Sequence, residues 1–147
     1  TGKTTSAKII SQQVNIPLVY IPIEAIMSEF YGKSEQKLSE MWEICKKLGK
    51  VIIFIDEIDA LAANRSSDMH EASRRILSTL LRKIDSFEST TNVMLICATN
   101  RKQDLDPAML SRIDLSISFD LPDVQSRAAI FRRYAKHLTD ENRKMLA

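Results

Sequence analysis

Residues Val51 to Glu57 read VIIFIDE, an unbroken run of large apolar side chains that ends in two adjacent carboxylates. A strand with water on one side alternates apolar and polar residues, whereas a run with no polar member has to be covered on both faces, as in the middle of a parallel sheet. Asp56 and Glu57 then emerge at the carboxyl end of that strand, the edge at which open α/β sheets bind ligands. This one segment therefore predicts a sheet clothed by helices, with an acidic site at one edge.

A second signal stands at the start of the chain. Gly2-Lys3-Thr4 is the tail of the phosphate-loop pattern G-x-x-x-x-G-K-[ST], in which backbone amides wrap phosphates, the lysine reaches the outer two and the hydroxyl ligates magnesium. The sequence opens at Thr1, so the first glycine and the middle of the pattern are not among its residues. A helix from about Lys3 to Gln13 follows, with its positive end toward the anion. Alone, the triplet reads equally well as a glycine turn before a surface helix. The acidic strand end is what turns it toward nucleotide chemistry, because a magnesium–phosphate group needs both a cationic clamp and a carboxylate.

Strand and helix signals alternate along the rest of the chain. Leu18 to Ile23 is a short apolar strand entered through Pro17. Ser34 is placed to cap a helix running to about Leu48, with Leu38, Met41, Trp42, Cys45 and Leu48 at the spacing of a buried face, and Gly49 ends it. A helix over about His70 to Phe87 turns Ile76, Leu77, Leu80, Leu81 and Ile84 inward and Arg74, Arg75, Arg82 and Lys83 elsewhere. Val93 to Ala98 is too uniformly apolar for a strand that faces water. Leu115 to Phe119 alternates with Ser116 and Ser118, the pattern of a strand exposed on one side near a sheet edge. A helix from Asp123 to about Leu138 follows, and Thr139 is placed to cap one more. The chain thus divides into a core over 1–138 and the beginning of a second domain over 139–147.

Composition narrows the partners. Of 147 residues 44% are hydrophobic and 27% charged, the make-up of an ordinary globular unit. A net charge of +2 from 21 basic and 19 acidic residues gives no overall pull toward nucleic acid or membrane. No stretch is long and apolar enough to span a bilayer. Cys45 and Cys97 fall in a helix and a strand without metal-site spacing, which reads as reduced core thiols of an intracellular protein, cytosol or nucleus being favoured. A targeting segment upstream of Thr1 stays open.

Taken in order, the motifs resemble the AAA ATPases, and within them the group containing katanin, spastin and the endosomal-sorting disassembly ATPase. The resemblance is carried by T-G-K-T at Thr1 to Thr4, I-I-F-I-D-E-I-D-A-L at Ile52 to Leu61, A-T-N at Ala98 to Asn100, Asp106-Pro107-Ala108 with Arg112 beyond it, and the aromatic loop Phe30-Tyr31-Gly32 followed by Ser34-Glu35. It implies a phosphate-loop three-layer α/β sandwich with a parallel sheet in the order 5-1-4-3-2. The first strand of that sheet and most of a helical lid lie outside this sequence, so the 147-residue piece alone is expected to be poorly stable and inactive.

The resemblance also assigns roles. Thr1, Gly2, Lys3, Thr4, Thr5 and Asp56 would bind ATP, with Thr4 and Asp56 at the Mg2+. Glu57 would polarise the attacking water, and Asn100 would sense the γ-phosphate. Arg112 would reach the nucleotide of an adjacent subunit in a homo- or hetero-hexamer; the family usually has a second arginine beside it, where this chain has Ser111. Phe30, Tyr31 and Gly32 would line a central pore and grip a protein substrate, with Lys33 making its mouth more basic. Asn64 to Met69 takes the position of a second pore loop, and Arg74 and Arg75 would relay nucleotide state between subunits. Plainer readings compete at each place: caps of a short helix for Asp56 and Glu57, a turn residue for Asn100, surface or solvated arginines for Arg112, Arg74 and Arg75, and local packing for Tyr31.

Two other function classes bear on the same residues. Asp56-Glu57-Ile58-Asp59 spells the D-E-x-D of RNA helicases, against which stand the short chain and the missing basic stripe. An ATP-binding ring module that hydrolyses weakly is favoured by Ser111 and opposed by the intact Lys3, Asp56, Glu57 and Asn100.

Overall fold

The fold was obtained as a computed structural model, which describes residues 2–27, 33–61, 67–86 and 92–134. Thr1, the pore-loop candidates Phe30, Tyr31 and Gly32, the first half of the second pore-loop candidate (64–66 of 64–69) and the expected start of the lid (139–147) lie outside the described residues. Two compact units are recognised: Lys3–Ser116, and Ile117 onward together with the first two residues.

The larger unit is built on three parallel strands, β1 (Leu18–Pro22), β2 (Val51–Asp56) and β3 (Val93–Cys97), in that spatial order. The register pairs Ile21 with Ile55, Pro22 with Asp56 and Ile55 with Cys97, so the carboxyl ends of all three strands share one edge. As its composition requires, β2 is central, and Val51 to Ile55 are buried.

Alternation along β2 sends its side chains into two unequal layers. Val51, Ile53 and Ile55 point into the main core with Leu38, Trp42 and Cys45 of α3 (Lys33–Lys47) and Ile76 and Leu80 of α4 (Ser67–Asp85). Phe54 turns the other way, toward Ala7 of α1 (Lys3–Val14), flanked by Leu18, Ile96 and Ala98. Helices on both faces give the three layers of a phosphate-loop sandwich. The α1 side is less complete: Tyr20, stacked on Phe54 at a centroid separation of 5.9 Å, and Met94 are about half exposed.

Chain reversals follow from local chemistry. Asn15 adopts φ 52° after α1, and the Ile16 N–H reaches back to the Ser11 carbonyl at 3.1 Å, the left-handed helix end that asparagine tolerates. Gly49, at φ 78°, does the same after α3. The short helix α2 (Ile23–Met27) leads toward α3, and a 3-10 turn (Ile58–Leu61) follows β2. A second 3-10 turn (Lys102–Asp104) precedes α5 (Pro107–Leu110), whose N-cap Asp106 accepts from the Ala108 N–H at 2.7 Å with Pro107 in the first turn.

Four sequence expectations are corrected. Ser34 does not cap α3; it lies one residue inside the helix and is buried. Leu48 follows the last residue of α3 and is 51% exposed instead of completing the buried stripe. Met94, expected to be shielded, is 55% exposed on β3, an edge strand of the described sheet. Residues 115–119 form no strand, and Leu115 and Ile117 are 74% and 68% exposed. Among the described residues no strand pairs with this segment. Alternation marks a strand only where a neighbour supplies the ladder.

The smaller unit holds α6 (Val124–Tyr134). Asp123 caps it, accepting from the Ser126 N–H at 2.7 Å, and that bond holds the Asp123 carboxyl below its ordinary range. On α6, Ala128 and Phe131 are half-buried, whereas Val124 is exposed. Among the described residues no helix is long and apolar enough to cross a membrane.

Candidate functional site

The carboxyl edge of the sheet gathers Lys3, Thr4, Asp56 and Asn100, four of the sequence-predicted residues of the larger unit. Thr4, in the first turn of α1, donates its hydroxyl proton to Asp56 Oδ2 at 2.7 Å across 52 residues of sequence. The other oxygen, Asp56 Oδ1, accepts the Glu57 N–H at 3.1 Å. Lys3 donates from Nζ to the Thr99 carbonyl at 2.6 Å and to Asn100 Oδ1 at 2.5 Å. Phosphate-loop helix, acidic strand end and the turn after β3 are thereby tied into one polar cluster. Gly2 sits at φ 100°, a left-handed value that glycine adopts without strain.

Glu57 is set apart from its neighbours by its backbone. It has φ 52°, an unusual value for a residue with a side chain, and it is exposed. The conformation breaks the strand after Asp56 and starts the 3-10 turn, whose first N–H, from Ile58, reaches the Ala98 carbonyl at 3.1 Å. Adjacent carboxylates would point to opposite faces of a continuing strand; the left-handed residue releases Glu57 from that alternation.

The donor set suits a magnesium-bound polyphosphate. Mg2+ takes hard oxygen ligands at near-octahedral geometry, usually one or two from protein with the rest from water and phosphate. Thr4 Oγ1 and Asp56 Oδ2 are hard oxygens already held together, and because the Thr4 proton is directed at Asp56 its lone pairs remain for a cation. Lys3 supplies a positive charge at the same sheet edge. Thr5, the next residue of α1, is exposed.

Arg112 belongs to a separate arrangement. Its guanidinium grips Asp85, the last residue of α4, through two bonds, Nε to Oδ1 at 2.5 Å and Nη2 to Oδ2 at 2.9 Å, while Nη1 donates to the Ala108 carbonyl at 2.7 Å. The Arg112 contacts hold the Asp85 carboxyl below its ordinary value of 3.8. Ser111 closes α5 and donates to the same Ala108 carbonyl at 2.9 Å. Arg74 and Arg75 are exposed on α4, where they line an open groove with Glu35, Glu71, Ser78 and Arg82; Arg75 pairs with Glu71 one turn earlier.

Three residues of these arrangements carried no role in the sequence reading. Thr99 and Asp59 stood inside recognised motifs as mere letters, yet Thr99 Oγ1 donates to Asp59 Oδ1 at 2.7 Å. Asp85 offered no signal beyond its charge, since nothing in sequence connects it with a residue 27 positions away. The thiols stay outside the site. Burial raises the Cys45 thiol and pushes the Cys97 thiol up to about 12.

Comparison with known proteins identifies the family. The chain is 38% identical over 140 residues to a cell division cycle protein 48 homolog of Archaeoglobus fulgidus, covering 94% of this chain and 19% of that protein. It is 36% identical over 147 residues to a proteasome-activating nucleotidase of Saccharolobus solfataricus, with coverage of 97% and 37%. It thus spans between a fifth and two fifths of these relatives. Among solved structures, the AAA domain of FIGL-1 in complex with ADP superposes with a TM-score of 0.84 at 26% identity, covering 99% of this chain and 49% of that one. Residues 1–121 match the ATPase family associated with various cellular activities, and the chain belongs to that family, the AAA ATPases.

Proposed function

We propose that this chain is the catalytic core of an ATP-driven, ring-forming machine that remodels, unfolds or disassembles protein substrates. The observation that carries it is the 2.7 Å bond between Thr4 and Asp56, with Lys3 at the same sheet edge. Relatives named as a proteasome-activating nucleotidase and a cell division cycle protein support the protein-directed part. The ADP in the FIGL-1 structure supports an adenine nucleotide as ligand.

In this proposal Lys3 leaves Thr99 and Asn100 for the phosphates, and Thr4 and Asp56 hold Mg2+, directly or through water. Mg2+ held there would supply neutralising charge to the phosphate oxygens during attack by water. Glu57 accepts a proton from that water and Asn100 orients it. Arg112 of a neighbouring subunit in a hexamer completes charge stabilisation, while Phe30 and Tyr31 engage the substrate polypeptide and Arg74 and Arg75 relay nucleotide state. Residues 139–147 begin the helical lid. The compartment in this reading is intracellular, with cytosol or nucleus favoured over an organelle.

A weakly hydrolysing scaffold module is the second reading, favoured by one observation: Arg112 is held by Asp85 of its own chain and lacks the second arginine at position 111. Glu57→Gln in the full-length protein separates the two. The motor reading expects ATP binding with turnover reduced by about 10² or more and accumulation of ATP-bound oligomers. Equal, low turnover in both proteins favours the scaffold.

A further inference from the structure

We infer that Asp59 is a positioning residue for hydrolysis, acting through Thr99 to fix the turn that carries Asn100 against the turn that carries Glu57. The inference rests on the ATP-hydrolysing reading above.

Asp59 is the second residue of the 3-10 turn that begins one residue after Glu57. Its carboxylate reaches across to the turn after β3, where Oδ1 accepts the Thr99 hydroxyl at 2.7 Å. That hydroxyl oxygen in turn accepts the Arg101 N–H at 2.9 Å, closing a side-chain turn around Asn100. Thr99 therefore uses its proton toward Asp59, its lone pair toward Arg101 and its carbonyl toward Lys3, with the Asn100 amide oxygen beside it on the same ammonium. One backbone bond, Ile58 N–H to the Ala98 carbonyl at 3.1 Å, joins the same two turns a residue closer to the strands.

Two bonds between two turns define their relative orientation; one leaves a hinge. The Asp59–Thr99 bond is charge-assisted and half-buried, conditions under which such bonds are strong. Glu57 and Asn100 act on one water from different strands, so the bond that aligns their turns controls the geometry of attack. Thr4 and Asp56 are tied to each other by a bond outside the two turns, and Lys3 meets the Thr99 turn through the Thr99 carbonyl and the Asn100 amide, not through the Thr99 hydroxyl, and leaves both when nucleotide binds in the reading above. The expected signature is a loss in kcat without a matching loss of ATP binding.

The test compares Asp59→Ala, Thr99→Val, Thr99→Ser and Glu57→Gln in the full-length protein, measuring steady-state hydrolysis, ATP affinity and thermal unfolding. Misplacement of reacting groups by about 1 Å lowers rates by roughly 10², so Asp59→Ala and Thr99→Val should lose on the order of 10- to 100-fold in kcat. Their ATP affinity should stay within about threefold of wild type. Thr99→Ser keeps the hydroxyl and should recover most of the rate. Wild-type kcat in Asp59→Ala and Thr99→Val overturns the inference. So does a general loss of fold in both, or a Thr99→Ser variant as impaired as Thr99→Val. Failure of the underlying reading looks different, because Glu57→Gln would then turn over ATP as fast as wild type.

Discussion

The carboxyl edge of the sheet and the Arg112 corner are both polar, yet they are satisfied in different ways. At the sheet edge Lys3, Thr4, Asp56, Thr99 and Asn100 come from three segments and bond one another, with strand ends from a single buried β2 and its neighbours fixing the spacing. At the corner, Arg112 is engaged by Asp85 and a backbone carbonyl, with its side chain 30% exposed. The first is a network of polar groups shared among three segments. The second is a cation neutralised within its own chain, which has to be released before it can serve a neighbour.

The sharpest way to break this comparison is Arg112→Ala. If the corner serves an adjacent subunit's nucleotide, turnover in the full-length protein falls by about 10³ or more, while ATP affinity stays near wild type. Lost affinity with preserved kcat would reverse the proposed division between the two regions. A change in the shared core should move both together: Ile53 is fully buried in the main cluster, so Ile53→Ala is expected to lower stability by about 2–5 kcal/mol, read by denaturant unfolding. Selective loss of only one region's activity would show that they do not depend on one core.

The smallest effect concerns Asp85→Asn. The Asp85 carboxyl titrates lower in the folded chain than its ordinary 3.8, so the ion pair contributes stability above that value and loses it as pH falls through the lower, folded-state value. The melting-temperature difference between wild type and Asp85→Asn should therefore be present at pH 7, modest because the pair is exposed, and vanish in strong acid. A difference independent of pH would mean that Asp85 acts by packing. High salt should shrink it as well.

Much of the frame was legible from β2 alone: a wholly apolar run predicts a central strand, and its acidic end predicts the ligand edge. The helices were legible where an apolar stripe met a real partner, as at Leu38, Trp42, Ile76 and Leu80. Leu115 to Phe119 misled because alternation describes a strand's faces and says nothing about whether a neighbour offers hydrogen bonds. Thr4 and Asp56 could be anticipated from motif chemistry. The Asp59–Thr99 and Asp85–Arg112 pairs could not, since ordinary polar residues acquire partners only when the fold closes distances of 40 and 27 positions.

The most direct test is a crystal structure of the full-length protein with Mg2+ and a slowly hydrolysed ATP analogue. The expected result is the metal beside Thr4 and Asp56, with the Lys3 ammonium moved from Thr99 and Asn100 onto the β- and γ-phosphates. An analogue bound away from this edge, with Lys3 still on the Thr99 carbonyl, would contradict it.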